Sequence, residues 1–162
     1  MFLLKKSGLF NGLTLALGLL STSGFAEMKI LTTTTDLRVL CSEVAGRFAT
    51  VESIAKGTQD PHFIEAKPSF MVKASQADLI VSNGLDLEVG WLPNILTGAR
   101  NPKIKAGGKG NLEIGPLVEP LEVPTGKISR ADGDVHPFGN PHFMLDPVRA
   151  ASAARAVAKR LA

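Results

Sequence analysis

MKILTTTTDLRVLCSEVAGRFATVESIA, residues 28–55, decides the fold. Its first eight residues, MKILTTTT, are β-prone and open the folded part of the chain with a strand. Leu37, Leu40, Cys41, Val44 and Phe48 then recur at helical spacing, with Glu43 and Arg47 paired one turn apart on the outer side. Asp36 is the expected N-cap of this helix, and Gly46 lies near its end. TVESIA, residues 50–55, returns to an extended pattern.

The same alternation continues outward. GTQDPHFIEA (57–66) reads as loop, and Pro68 opens a helix over PSFMVKASQ. ADLIVSNG (77–84) is a short apolar run closed by Asn-Gly, a buried strand. LEVGWLPNILTGA (87–99) has helical composition, and Pro93 is expected to kink or break it. Strand, helix, strand, helix, strand, helix predicts an α/β fold: a parallel sheet flanked by helices on both faces. Ligands of such sheets bind beyond the carboxyl ends of the strands. From 100 to 132 the pattern weakens. LEIGPLVEPLEVPTG holds one or two short extended pieces, and its prolines argue against a central strand. The last segment is a helix capped by Asp146 with Pro147 at its first position. Ala151, Ala154, Val157, Ala158 and Leu161 form its expected apolar face; Arg149, Arg155, Lys159 and Arg160 form the other. No Gly, Asn or Pro stops this pattern before Ala162, so the expectation is a helix belonging to a longer chain.

A chain of 162 residues, 44% hydrophobic and 20% charged, suits one globular domain. Residues 1–26 differ from the rest. Lys5 and Lys6 precede LFNGLTLALGLL, and STSGFA ends in small residues, the pattern of a cleaved secretory signal peptide. The apolar run falls short of the ~20 residues of a spanning helix. Without this leader the chain carries 16 basic and 15 acidic residues, a net charge of +1. No basic run points to nucleic acid. The one cysteine, Cys41, excludes an internal disulfide and a cysteine-built zinc site; it lies on an apolar helix face, as a small buried hydrophobe.

The chemistry sits in two loops. The chain has three histidines: His62 in QDPHFIEAKPS, and His136 and His142 in GDVHPFGNPHFMLDP. Both loops precede helices, and Pro61, Pro137 and Pro141 stiffen them. Neutral imidazole suits zinc and other borderline metals, and a ligand loop with little entropy left to lose binds better. Asp60, Glu65 and Asp134 are the carboxylates near enough in sequence to hold a ligand ring from behind or to touch the metal. Spacing alone is unspecific: H-x5-H is no metal motif, and a lone loop histidine is most often a surface residue.

The order of TTTTDL, DPHFIEAKPS, ADLIVSNGLDLEVGWLP and NPHFMLDP, the last followed by an alanine-rich helix, resembles the periplasmic solute-binding proteins of ABC transporters that import zinc or manganese. The likeness spans essentially all of the chain after the leader. It implies an N-terminal lobe over residues 27–145, and from residue 146 the start of a long helix linking it to a second lobe beyond residue 162. It implies a metal held between the lobes, with His62 matching the first ligand and His142 the second. His136 matches no usual ligand of the family and is expected as a neighbour that can contact the metal. The other ligands, a His or Glu and an Asp or Glu, are implied to lie in the second lobe. GGKGNLEIGPLVEP departs from the His- and acid-rich loop that the zinc importers often carry.

The reading is therefore a periplasmic metal-capture subunit, not an enzyme, that delivers its ion to a permease in the inner membrane. Zn²⁺ is favoured over Mn²⁺ because the visible ligands are nitrogen. Two rival readings are a secreted zinc hydrolase, with Glu65 as its only candidate base, and a cell-surface adhesion module.

Overall fold

The computed structural model describes residues 27–126, 128, 133 and 135–162. The expected signal peptide (1–26) and Asp134 lie outside the described residues. In chain order the elements are β1 (Met28–Thr32), α1 (Thr35–Ala45), β2 (Ala49–Ser53), α2 (Pro68–Gln76), β3 (Leu79–Ser82), α3 (Leu92–Ala99), β4 (Asn111–Glu113) and α4 (Pro147–Leu161).

The four strands form one parallel sheet in the order β2-β1-β3-β4. Side chains alternate along each strand. Ile30, Leu79, Val81 and Leu112 face one core, covered by Leu37 and Cys41 of α1 and Ala153 and Val157 of α4. Leu31 and Ile80 face the other, covered by Ala74 of α2 and Ile95 of α3. Every residue of β3 is buried, which is why LIVS reads as an unbroken apolar run. The sheet order reverses at β1, so the loops after β1 and β3 meet at a topological switch point.

Several sequence expectations shift by a few residues. Thr34, not Asp36, caps α1: its backbone is extended and its hydroxyl accepts from the Leu37 N–H, which leaves Asp36 in the first turn, where its charge suits the helix dipole. The expected helix over 87–99 begins only at Leu92, so Pro93 sits in the first turn and kinks nothing. Before it, Gly84, Leu85 and Asp86 take consecutive positive φ angles of 75°, 54° and 69°, which no helix accommodates. The weak stretch after residue 100 supplies β4 at a sheet edge, consistent with prolines just beyond it. Asp146 caps α4 as expected, accepting from the N–H groups of Val148 and Arg149. The buried face of α4 is centred on Ala153 and Val157, while Ala151 and Ala158 are exposed. An alanine-rich helix has a shallow apolar contrast, and the packing partner settles its rotation.

Cys41 is fully buried in the α1 core, and burial pushes its thiol up to about 12. The thiol of the native protein at pH 8 is expected to be silent to a thiol-titrating disulfide reagent, with one equivalent appearing in guanidinium. A stoichiometric native reaction would contradict this packing.

Candidate metal centre

His62, His136 and His142 meet above the carboxyl edge of the sheet. Each offers a ring nitrogen within 4.8 Å of the others. His62 Nε2 lies 3.0 Å from His136 Nε2. The rings of His62 and His136 lie end to end, with centroids 5.1 Å apart and planes 24° apart; the His142 ring is tilted 57° to His62 at 5.5 Å. His62 and His136 are half-buried and His142 is exposed.

Two of the three histidines are presented by one repeated device. The Asp60 carboxylate accepts the His62 backbone N–H at 2.9 Å, and the Asn140 side-chain carbonyl accepts the His142 N–H at 2.9 Å. Each is an Asx turn with a proline at its centre, Asp-Pro-His and Asn-Pro-His, so φ is locked where the side-chain bond closes the turn. The proline carbonyl before each histidine is then tied to the segment after β3. Trp91 Nε1–H donates to Pro61 O at 2.8 Å, and Asn83 Nδ2–H donates to Pro141 O at 3.1 Å. His136 is set differently: Gly139 N–H donates to the His136 carbonyl, and Asn140 N–H donates to Leu121 O at 2.8 Å. Gly139 has a φ of 108°, and a Cβ there would lie 2.8 Å from the Leu121 carbonyl, so only glycine fits the turn.

The anchoring segment is itself held by Glu88, which is almost fully buried. Its carboxylate accepts from the Thr33 hydroxyl at 2.5 Å, the Asn83 N–H at 2.8 Å and the Gly84 N–H at 3.0 Å. Burial raises the Glu88 carboxyl above its ordinary range, against the lowering pull of these hydrogen bonds. The Thr34 hydroxyl donates to Asn83 Oδ1 at 3.0 Å, which orients the amide so that its NH₂ faces Pro141. Sequence reading overlooked Asn83, Glu88 and Trp91. The available signal was an acidic residue inside the apolar stretch LDLEVGW and the chain's only tryptophan.

Of the candidate carboxylates, Asp60 approaches from behind the ring: its Oδ1 is 2.7 Å from His62 Nδ1. The backbone and ring hydrogen bonds from His62 hold the Asp60 carboxyl below the usual range. An ionised Asp60 accepts a proton held on Nδ1, which leaves the Nε2 lone pair facing the cluster. Glu65 is exposed and pairs with Lys67 at 3.5 Å, and it joins no metal-ligating group among the described residues. A cleft of about 240 Å³ opens beside His142, lined in part by Thr34, Gln59, Asn83 and Leu87. Such an arrangement can bind a borderline cation through nitrogen.

Comparison with known proteins finds relatives whose names describe metal binding. The manganese ABC transporter substrate-binding lipoprotein PsaA of Streptococcus pneumoniae is 35% identical over 100 residues, 60% of this chain and 32% of its own length. The iron-binding protein YfeA of Yersinia pestis is 35% identical over 94 residues, 52% of this chain and 30% of its own. This chain thus spans about a third of the length of these relatives. A crystal structure of a zinc-bound ZnuA deletion mutant superposes with a TM-score of 0.64 at 25% identity, covering 84% of this chain and 46% of that one. The family described as ZnuA, zinc-uptake complex component A, periplasmic, matches residues 30–162, and the chain belongs to it.

Proposed function

We propose that this chain is the N-terminal lobe of the metal-capture subunit of an ABC-type importer, and that it binds Zn²⁺ in the periplasm and passes it to a membrane permease. The observation that carries the reading is the convergence of His62 and His142, two histidines 80 positions apart, on one point at the sheet's carboxyl edge. The names of the relatives support a substrate-binding role over an enzymatic one. No bond is made or broken in this role; the metal is cargo. Zinc is preferred to manganese because imidazole nitrogen suits zinc, whereas manganese favours oxygen.

Residues 27–145 form the metal-binding lobe in this reading, preceded by a signal peptide over 1–26, and Asp146 begins the helix toward a second lobe. Phe63, Phe138 and Leu145 support it. They stand beside the three histidines and are 74%, 60% and 87% exposed, an apolar rim suited to a covering surface. The second lobe would complete the coordination shell.

Calorimetric titration with Zn²⁺ is expected to show one site that weakens at least about tenfold, ~1.4 kcal/mol, in His62→Ala and in His142→Ala. Unchanged affinity in both would remove the metal-site reading. Because Trp91 donates to the carbonyl next to His62, its emission is expected to shift on zinc binding, and the shift to vanish in His62→Ala. An emission that ignores saturating zinc would place the ion elsewhere. Asn83→Ala leaves the Pro141 carbonyl without its donor. It is expected to lower stability by about 1–3 kcal/mol in urea denaturation and to weaken zinc binding through the His142 loop.

A further inference from the structure

We propose that His136 is itself a metal ligand, so that this one lobe offers the ion three imidazole nitrogens. The proposal rests on the metal-capture reading above and extends it to a residue outside the His62–His142 pair.

The geometry carries it. Zinc–nitrogen bonds of about 2.0–2.1 Å at a tetrahedral angle put two ligand nitrogens about 3.3 Å apart. His62 Nε2 and His136 Nε2 are 3.0 Å apart, so a shift of a few tenths of an ångström admits an ion between them. A nitrogen of His142 completes a group with no separation above 4.8 Å. The atoms also face the right way. Asp60 occupies Nδ1 of His62, so the nitrogen His62 turns toward His136 is Nε2, the one left to bind. Without an ion, a proton shared between the two Nε2 atoms accounts for their contact; a cation at the same place displaces that proton.

The backbone holds His136 for this position. The Gly139 N–H closes a turn on its carbonyl, and Asn140 N–H fastens the following loop to Leu121. The His136 ring meets the His62 ring end to end through Nε2, the planes 24° apart, and the other nitrogen of His62 is already engaged.

The consequence is selectivity. With two imidazoles, most of a four-coordinate shell falls to other groups, and oxygen donors there would admit manganese. Three imidazoles leave one position, and the set suits Zn²⁺ or Co²⁺ over Mn²⁺. His136 is thus the residue that sets the preference of this lobe.

X-ray absorption of the Zn²⁺-loaded 162-residue chain should count three imidazoles in the wild type and two in His136→Ala and His136→Gln. Calorimetry should show a roughly tenfold or greater loss of Zn²⁺ affinity in both variants and a smaller change for Mn²⁺. A silent Cys41 thiol certifies that each variant is folded. Wild-type zinc binding with unaltered affinity and an unaltered imidazole count in folded His136 variants overturns the proposal and leaves the metal-capture reading standing. A wild type that binds neither Zn²⁺ nor Co²⁺ overturns both.

Discussion

Two carbonyl groups, those of Pro61 and Pro141, fix the site, because each accepts one hydrogen bond from the segment that leaves β3. Trp91 reaches one and Asn83 the other, so loops 80 residues apart in sequence are referenced to the same eight or so residues of chain. A displacement of that segment would move both histidines together, and a change in either loop alone would work against a fixed donor. The segment is stiff for a reason that can be named. Three successive residues adopt left-handed φ, two of them non-glycine, at a cost of roughly 1–2 kcal/mol each. The Glu88 carboxylate, buried among the N–H groups of Asn83 and Gly84 and the Thr33 hydroxyl, offsets that strain.

The two Asx-Pro-His turns look alike but differ by one charge. At residue 60 the Asx residue is an aspartate, and its carboxylate serves both the His62 backbone N–H and the His62 ring. At residue 140 it is an asparagine: its carbonyl serves the His142 backbone, and its amide donates to Glu122 at 2.8 Å. Only the first turn therefore controls which ring nitrogen faces inward. The fold thus chooses the binding nitrogen of His62, and that nitrogen lies 3.0 Å from His136 Nε2.

The layered α/β architecture was legible because β1, α1, β2, α2 and β3 each carry their period clearly: buried LIVS, the spacing of Leu37, Cys41 and Val44, and proline at the start of α2. Boundaries were less so. Thr34 and Asp36 are both good caps two residues apart, and the choice depends on where Thr32 and Thr33 finish the strand. The segment 85–91 has helical composition, yet a buried carboxylate bonded to backbone N–H groups beats propensity there. Of the site, the two Pro-His loops stood out in sequence. The place of His136 did not, since its position depends on a turn at Gly139 packing against Leu121, a contact between segments with no shared pattern. Asn83 and Trp91 were hidden for the same reason: their task is to bond a carbonyl, and any residue's carbonyl would serve.

In the proposed carrier the ion must be both caught and released, and these demands pull in opposite directions. Capture favours rings already ordered, because each rotamer frozen on binding subtracts about 0.5–1.5 kcal/mol from affinity. The Asx turns, the prolines and the two carbonyl anchors do that ordering in advance, without adding a ligand. Release favours an incomplete shell on an accessible surface. His142 is exposed, the apolar rim of Phe63, Phe138 and Leu145 is uncovered, and the imidazoles all come from one side. Rigidity of the ligands and openness of the shell are separate variables here: the first is set by hydrogen bonds within this lobe, the second by whatever covers it. A carrier built this way can vary retention by covering and uncovering the ion, while the geometry that recognises the metal stays unchanged.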